Sequence, residues 1–136
     1  MLDIIKIAAL LTGITVPSVD GGVASYYTYQ DYGDGALYAH PSARYDPHNG
    51  IPWCAINVQA YLSGGVLPGD KIIVKFVDSD KFLFLEAWDA GPFDDYLIED
   101  FPNLPILVDI PQHLWPLHSL SAEIEMINLS KMERMN

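Results

Sequence analysis

The feature that most constrains the fold is the stretch at residues 81–93, KFLFLEAWDAGPF, which joins an apolar run to an acid and a Gly-Pro turn. Residues 82–85 are all hydrophobic, and successive side chains of a strand point to opposite faces, so this run predicts a strand buried on both faces. The stretch then places one carboxylate, Asp89, just before the turn at Gly91 and Pro92. An acid at the end of a buried strand needs an explanation.

Short β-branched and aromatic runs separated by Gly, Pro and Asp recur along the rest of the chain. They predict strands at residues 23–29, 53–62, 71–77, 106–110 and 121–129, a hairpin turn at 78–80 and one helical turn within 111–117. Residues 30–52, rich in Gly, Asp, Pro and His, predict a long irregular region with room for one short strand at 36–39. About six short strands with little helix predict an all-β barrel or sandwich.

Composition narrows the class of protein and its partners. A chain of 136 residues, half of them hydrophobic, predicts one domain with a substantial core. The formal net charge of -11 argues against nucleic acid or an anionic membrane surface as partner, because both attract positive charge. The single cysteine, Cys54, excludes an intrachain disulfide and a multi-thiolate metal cluster. Its apolar neighbours favour a small buried side chain over a reactive thiol.

Residues 1–16, MLDIIKIAALLTGITV, allow two interpretations. Residues 7–16 have the character of the hydrophobic region of a secretory signal, with small residues near a cleavage point at 16–18. Alternatively, the segment is an ordered helix or strand that packs on the domain or on a neighbouring copy. The apolar run falls short of the ~20 residues that a bilayer span needs, so no membrane span is predicted.

Four motifs resemble, in the same order, those of the rare lipoprotein A family of bacterial septal lytic transglycosylases. GVASYY at 22–27 resembles G-x-A-S-Y-Y, LPGD at 67–70 resembles L-P-x-G-T, WDAGPF at 88–93 resembles N-D-R-G-P-F, and VDI at 108–110 resembles I-D-L-S. Barwin-like and expansin-like domains share the same barrel. The resemblance implies a six-stranded double-psi β-barrel at 22–130, with short helical turns and an N-terminal extension at 1–21.

The resemblance also implies a chemistry. In a lytic transglycosylase, one carboxylic acid protonates the glycosidic oxygen and the sugar's own 6-hydroxyl closes on the anomeric carbon. Asp89 matches the essential aspartate of the family, and Asp109 matches a second acid that lines the groove in expansin-like relatives. Partial burial behind an apolar strand favours the protonated form that a general acid needs. The structural alternatives are a turn-forming Asp89 that accepts backbone N–H bonds, and an Asp109 that caps the helical turn after Pro111.

The chain departs from the family's pattern at several catalytic positions. The family has a histidine before the L-P turn and an acid about eleven residues earlier, and these positions fall here near Gly64 and Trp53. The arginine of D-R-G-P-F is Ala90. Thr28 stands where cellulose-cleaving relatives place their catalytic base, so an inverting hydrolysis with two carboxylates is not supported.

Aromatic residues crowd the first third of the chain. Sugar-binding grooves use such rings as stacking platforms, so the candidate substrate-binding residues are Tyr26, Tyr27 and Tyr29, together with Trp88 of the stretch at 81–93. Alternation along a strand sends part of such a set into the core instead. No cofactor is predicted, and no metal site either, because the acids within residues 94–100 lack the regular spacing of a calcium loop.

The leading prediction is a barrel of the cell envelope or periplasm that engages peptidoglycan or related glycan strands, with Asp89 as general acid if it is an enzyme. One alternative is a non-catalytic structural or assembly module, for example in a bacteriophage tail, where residues 1–21 contact neighbouring copies in a homo-oligomer or virion. Another is an expansin-like wall binder without turnover. Murein cleavage, self-assembly and glycan binding without products discriminate the three.

Overall fold

The computed structural model describes residues 3–13, 19–27, 52–91 and 98–135. In chain order the described elements are helix α1 (Ile4–Thr12), β1 (Asp20–Tyr27), β2 (Trp53–Ile56), helix α2 (Val58–Leu62), β3 (Lys71–Phe76), β4 (Phe82–Ala90), β5 (Ile106–Pro111), a 3₁₀ helix (Gln112–Leu114), β6 (Ser121–Asn128) and helix α3 (Leu129–Met135). The strands close into one barrel in the spatial order β1-β5-β2-β4-β3-β6. The prediction of a mostly β fold built on a closed six-stranded barrel is therefore confirmed, and a few short helices accompany it.

The barrel combines parallel and antiparallel pairs. The pairs β1–β5 and β2–β4 are parallel, and the other four neighbouring pairs are antiparallel. Both parallel pairs join strands that are not consecutive in the chain. As a result, segments far apart in sequence, around residues 25, 55, 89 and 109, lie side by side on four adjacent strands.

The interior is filled by apolar side chains from alternate strand positions. Ala24 of β1, Val108 of β5 and Ile124 of β6 are fully buried within one continuous core. Because side chains alternate along a strand, the residues beside them point out of the barrel. Cys54 also lies in this core as a free cysteine, so the prediction of a buried cysteine is confirmed.

A second apolar cluster lies outside the barrel, over β3 and β6. The i, i+3, i+4 spacing of Ile4, Ile7 and Ala8 places them on one face of α1. This face packs on Ile73 and Ile127 of the barrel, together with two side chains of α3. Residues 4–12 thus form a helix that packs on the domain. No helix in the described ranges is long and apolar enough to cross a bilayer.

Two sequence predictions about these elements are wrong. Residues 53–62 do not form one strand, because β2 ends at Ile56 and α2 follows. Asn57 caps α2 by accepting a hydrogen bond from the Gln59 N–H at 2.9 Å, and such a cap starts a helix. Residues 82–85 are not buried on both faces either, since Phe84 is 43 % exposed. The strand predicted at residues 36–39 lies outside the described residues.

Helix α3, which the sequence patterns did not predict, is fastened to the barrel by the buried carboxylate of Asp70. Arg134 donates to both oxygens, at 2.6 and 3.0 Å. Asn128 donates its side-chain amide at 2.8 Å and Leu67 its backbone N–H at 2.9 Å. Burial alone would raise the pKa of Asp70, but these hydrogen bonds, led by that of Arg134, hold the pKa below its usual value.

Replacing Asp70 with alanine is expected to lower the free energy of unfolding near neutral pH by about 2 kcal/mol, because Arg134, Asn128 and the Leu67 N–H lose their shared acceptor. The pKa of Asp70 is lower in the folded than in the unfolded chain. Its contribution is therefore present above the unfolded pKa and is lost as the pH falls through the folded pKa. Thermal unfolding of both proteins near neutral pH and in strong acid measures the gap in Tm, which should shrink in acid. The exposed Asp78, replaced with alanine, is the control, and a gap independent of pH would contradict the assignment.

Candidate functional site

The strand register brings four residues, Ser25, Asp109, Ala55 and Asp89, into one line across β1, β5, β2 and β4, here called the acid row. Ser25 pairs with Asp109, Asp109 pairs with Ala55, and Ala55 pairs with Asp89. Adjacent strands lie about 4.8 Å apart, which puts the Cα atoms of the two aspartates roughly 10 Å apart. The two acids predicted from the sequence are thus separated by one alanine, Ala55, which is itself buried.

A β-bulge in β4 decides which way Asp89 points. Ala87 and Asp89 pair with successive residues of β2, so Trp88 between them is the extra residue. Ala87 and Ala90 both lie in the barrel core, whereas Trp88 packs against a cluster on the outer face. Asp89 therefore lies on the outer face with the rest of the acid row, and not in the interior that simple alternation from Ala87 would give it.

Asp89 is almost completely buried although it lies on the outer face. It is 3 % exposed, and its Oδ1 accepts a hydrogen bond from the Ala90 N–H at 2.8 Å. This is the kind of backbone contact that the turn-forming alternative predicts. The hydroxyl of Tyr61 on α2 donates to the backbone carbonyl of Asp89 at 2.9 Å. Burial raises the pKa of Tyr61, and the nearby Cys54, Asp89 and Asp70 raise it further, so its hydroxyl remains a donor.

Asp109 is half-buried and more accessible than Asp89. Its Oδ1 accepts a hydrogen bond from the Ser25 hydroxyl across the β1–β5 pair. Its Oδ2 faces Gly91, where an added Cβ would lie 4.0 Å from that oxygen. The carboxylate of Asp109, on β5, therefore directs one oxygen to Ser25 of β1 and the other to Gly91, the residue that follows β4.

The interior side of the acid row is occupied by the thiol of Cys54. Burial raises the pKa of Cys54, and the charges of Asp89 and then Asp109 raise it further. Both carboxylates are therefore near enough to Cys54 to disfavour its thiolate form. The thiol stays protonated and enclosed, so Cys54 has no role as a nucleophile.

The three predicted substrate-binding aromatics that the structure describes do not form one surface. Tyr27 packs edge-on against Trp53 at a ring-centroid distance of 6.0 Å, and Trp88 packs against the same outer cluster, next to the acid row. Tyr26 instead contacts Trp115 at 5.3 Å, and that indole packs on the barrel core. Tyr29 lies outside the described residues.

The indole of Trp88 is held from two sides. Its Nε1 donates to Glu86 Oε1 at 2.7 Å. Gly69 lies beneath the ring with φ of 86°, and a Cβ there would lie 3.0 Å from Cζ2 and 3.1 Å from Cη2 of the ring. Glycine suits this position both because φ is positive and because the ring leaves no room for a side chain. Two of the four motifs, at 67–70 and 88–93, are therefore in direct contact.

The sequence patterns identified the two acids but missed Ser25, Ala55 and Tyr61 as their neighbours. Ser25 belongs to the GVASYY motif, so the motif itself was a signal, but its partner depends on the β1–β5 register. Within the described residues, no group of three or more His, Cys, Asp or Glu side chains is placed to hold a metal ion.

The arrangement is suited to proton transfer and to polar recognition beside an aromatic surface. It combines two carboxylates of unequal exposure with a serine hydroxyl. Comparison of the chain with protein-family models finds no match, and comparison with curated proteins finds no significant one.

Proposed function

We propose that this chain is a double-psi β-barrel of the rare lipoprotein A type that binds peptidoglycan glycan strands and cleaves them, with Asp89 as general acid. The acid row carries the proposal, because both acids that match the family lie on one outer face with a single alanine between them. The two parallel pairs of non-consecutive strands, in a closed barrel of six, support the double-psi topology.

Cleavage of a glycosidic bond needs a proton on the leaving oxygen as the bond to the anomeric carbon breaks. Asp89 gives its proton to that oxygen. The 6-hydroxyl oxygen of the same sugar then bonds to the anomeric carbon, and its proton returns to Asp89, which restores the acid. Asp109, as a carboxylate, stabilises the positive charge that develops on the sugar ring. No water is consumed, so the product carries an internal anhydro ring.

The burial of Asp89 sets a condition on this reaction. A glycan reaches a carboxyl group that is 3 % exposed only by displacing the atoms that cover it. The partly exposed Asp109 is the acid that a glycan meets first. Exclusion of water around Asp89 then strengthens every electrostatic interaction with the reacting bond.

Incubation of purified murein with the protein, followed by mass spectrometry of the soluble products, tests the proposal. Release of anhydro-muropeptides is the expected result. Products with ordinary reducing ends would show that the protein hydrolyses the glycosidic bond and is not a transglycosylase. Binding to murein in a pull-down without any product would assign the barrel to wall binding, and the absence of both binding and release would contradict the proposal.

A second candidate function is an assembly module, and the outer face of α1 favours it. Leu10 is 86 % exposed and Ile5 46 %, and both lie outside the face of the helix that packs on the barrel. Exposed apolar side chains on a helix whose other face is already packed are typical of an interaction surface, and α1 of a second copy offers a matching one. Sedimentation at increasing concentration should then show a dimer that Leu10→Lys dissociates. A monomer at every concentration would contradict this function.

A further inference from the structure

The hydrogen bond between Ser25 and Asp109 is not needed to hold their strands together. The two residues are partners in a parallel ladder that runs from residue 23 to residue 27 of β1, and the backbone already fixes this pair. On its other side, Ser25 pairs with Ser121 of β6. Of these two serines in line with the acid row, Ser25 is the one whose hydroxyl reaches a carboxylate.

This bond fixes the rotation of the Asp109 carboxyl group. With Oδ1 bound to Ser25 on the β1 side, Oδ2 is directed to the opposite side, where it faces Gly91 after β4. That is the side on which Asp89 lies. A hydroxyl that donates to a carboxylate also favours the ionised form of that carboxylate.

We infer that Ser25 is a positioning residue that holds Asp109 as an oriented carboxylate, with Oδ2 presented to a glycan bound along the acid row. The inference rests on the proposed function for its catalytic consequence. Ser25 itself touches no reacting atom. Its hydroxyl holds Asp109 in one orientation and in the charged form, while Asp89 carries the proton that is transferred.

Ser25→Ala is expected to lower kcat on murein about 10-fold to 100-fold with little change in KM or Tm, because the second acid loses its orientation and not its binding contacts. Ser25→Thr keeps the hydroxyl on a residue that strands favour, and it should restore most of the rate. Ser121→Ala is the matched control and should stay within about twofold of the wild type.

A second readout does not depend on activity. The ionisation of the Asp109 side chain, followed by carbon NMR during a pH titration, should move to higher pH in Ser25→Ala, because the ionised form loses a donor.

The outcomes separate the two proposals. Loss of rate in Ser25→Ala, rescue by threonine and a shifted Asp109 titration support the inference. An unchanged rate together with an unchanged titration overturns it. If the wild type releases nothing from murein, the proposed function fails, and the titration alone then decides whether Ser25 orients Asp109: a shift upholds this, and no shift overturns it.

Discussion

Replacing Asp89 with asparagine is expected to lower the release of anhydro-muropeptides from murein by about 100-fold to 10,000-fold, the range that a general acid contributes. Asparagine has nearly the same shape and keeps an oxygen that can accept the hydrogen bond from the Ala90 N–H, which lies at 2.8 Å in the wild type. It has no acidic proton to give to a leaving oxygen. Initial rates of product release, measured beside Tm for each variant, check the prediction.

Two further variants separate a catalytic Asp89 from a turn-forming one. Asp78→Asn neutralises an exposed carboxylate in the turn between β3 and β4, and its rate should equal that of the wild type. Asp89→Ala removes the acceptor as well as the proton, so it should lose both rate and Tm. If Asp89→Asn keeps its rate while Asp89→Ala loses Tm, then Asp89 only shapes the turn and the general-acid role is wrong.

Replacing Gly22 with alanine is expected to lower the free energy of unfolding by about 3 kcal/mol, the upper part of the usual range for overpacking. A Cβ at this position would lie 2.6 Å from Leu107 Cγ and 2.7 Å from the carbonyl oxygen of Pro105. That oxygen accepts a hydrogen bond from the Val23 N–H at 2.9 Å, so it cannot move away without breaking the start of the β1–β5 pair.

Gly21→Ala is the matched control for this prediction. A Cβ at Gly21 meets nothing within 4 Å, and Gly21 lies on the same strand one residue earlier. Chemical denaturation of both variants measures the difference, and equal stabilities would contradict the steric argument. The result also explains the first glycine of the GVASYY motif, because close approach of β1 to β5 at Gly22 precedes the pairing of Ser25 with Asp109.

Local patterns predicted the strands whose residues alternate or carry β-branched side chains. β3, β5 and β6 lie close to their predicted bounds for this reason. Helix α2 was missed because the apolar run from Trp53 to Leu62 suits either element, and the cap at Asn57 decides it. Helix α3 was missed because the contact between its Arg134 and the carboxylate of Asp70 joins residues that are far apart in the sequence.

Of the candidate site, only residues that belong to recognisable motifs could be predicted from the sequence. Asp89 and Asp109 each belong to a recognisable motif, so the sequence identified them as candidates. Their separation by Ala55, and the bond from Ser25, depend on register between strands that are distant in the chain. The outward direction of Asp89 depends on the bulge at Trp88, and alternation alone predicts the opposite face.

The parallel pairing also has a kinetic consequence. The hairpin of β3 and β4 closes over a few residues, whereas the acid row needs contacts between segments around residues 25, 55, 89 and 109. Contacts of long sequence separation cost more loop entropy and form late in folding. During refolding the hairpin therefore precedes the site, and neither acid meets its neighbours until the cylinder closes. A chain arrested before closure has strands and a partial core but lacks the acid row.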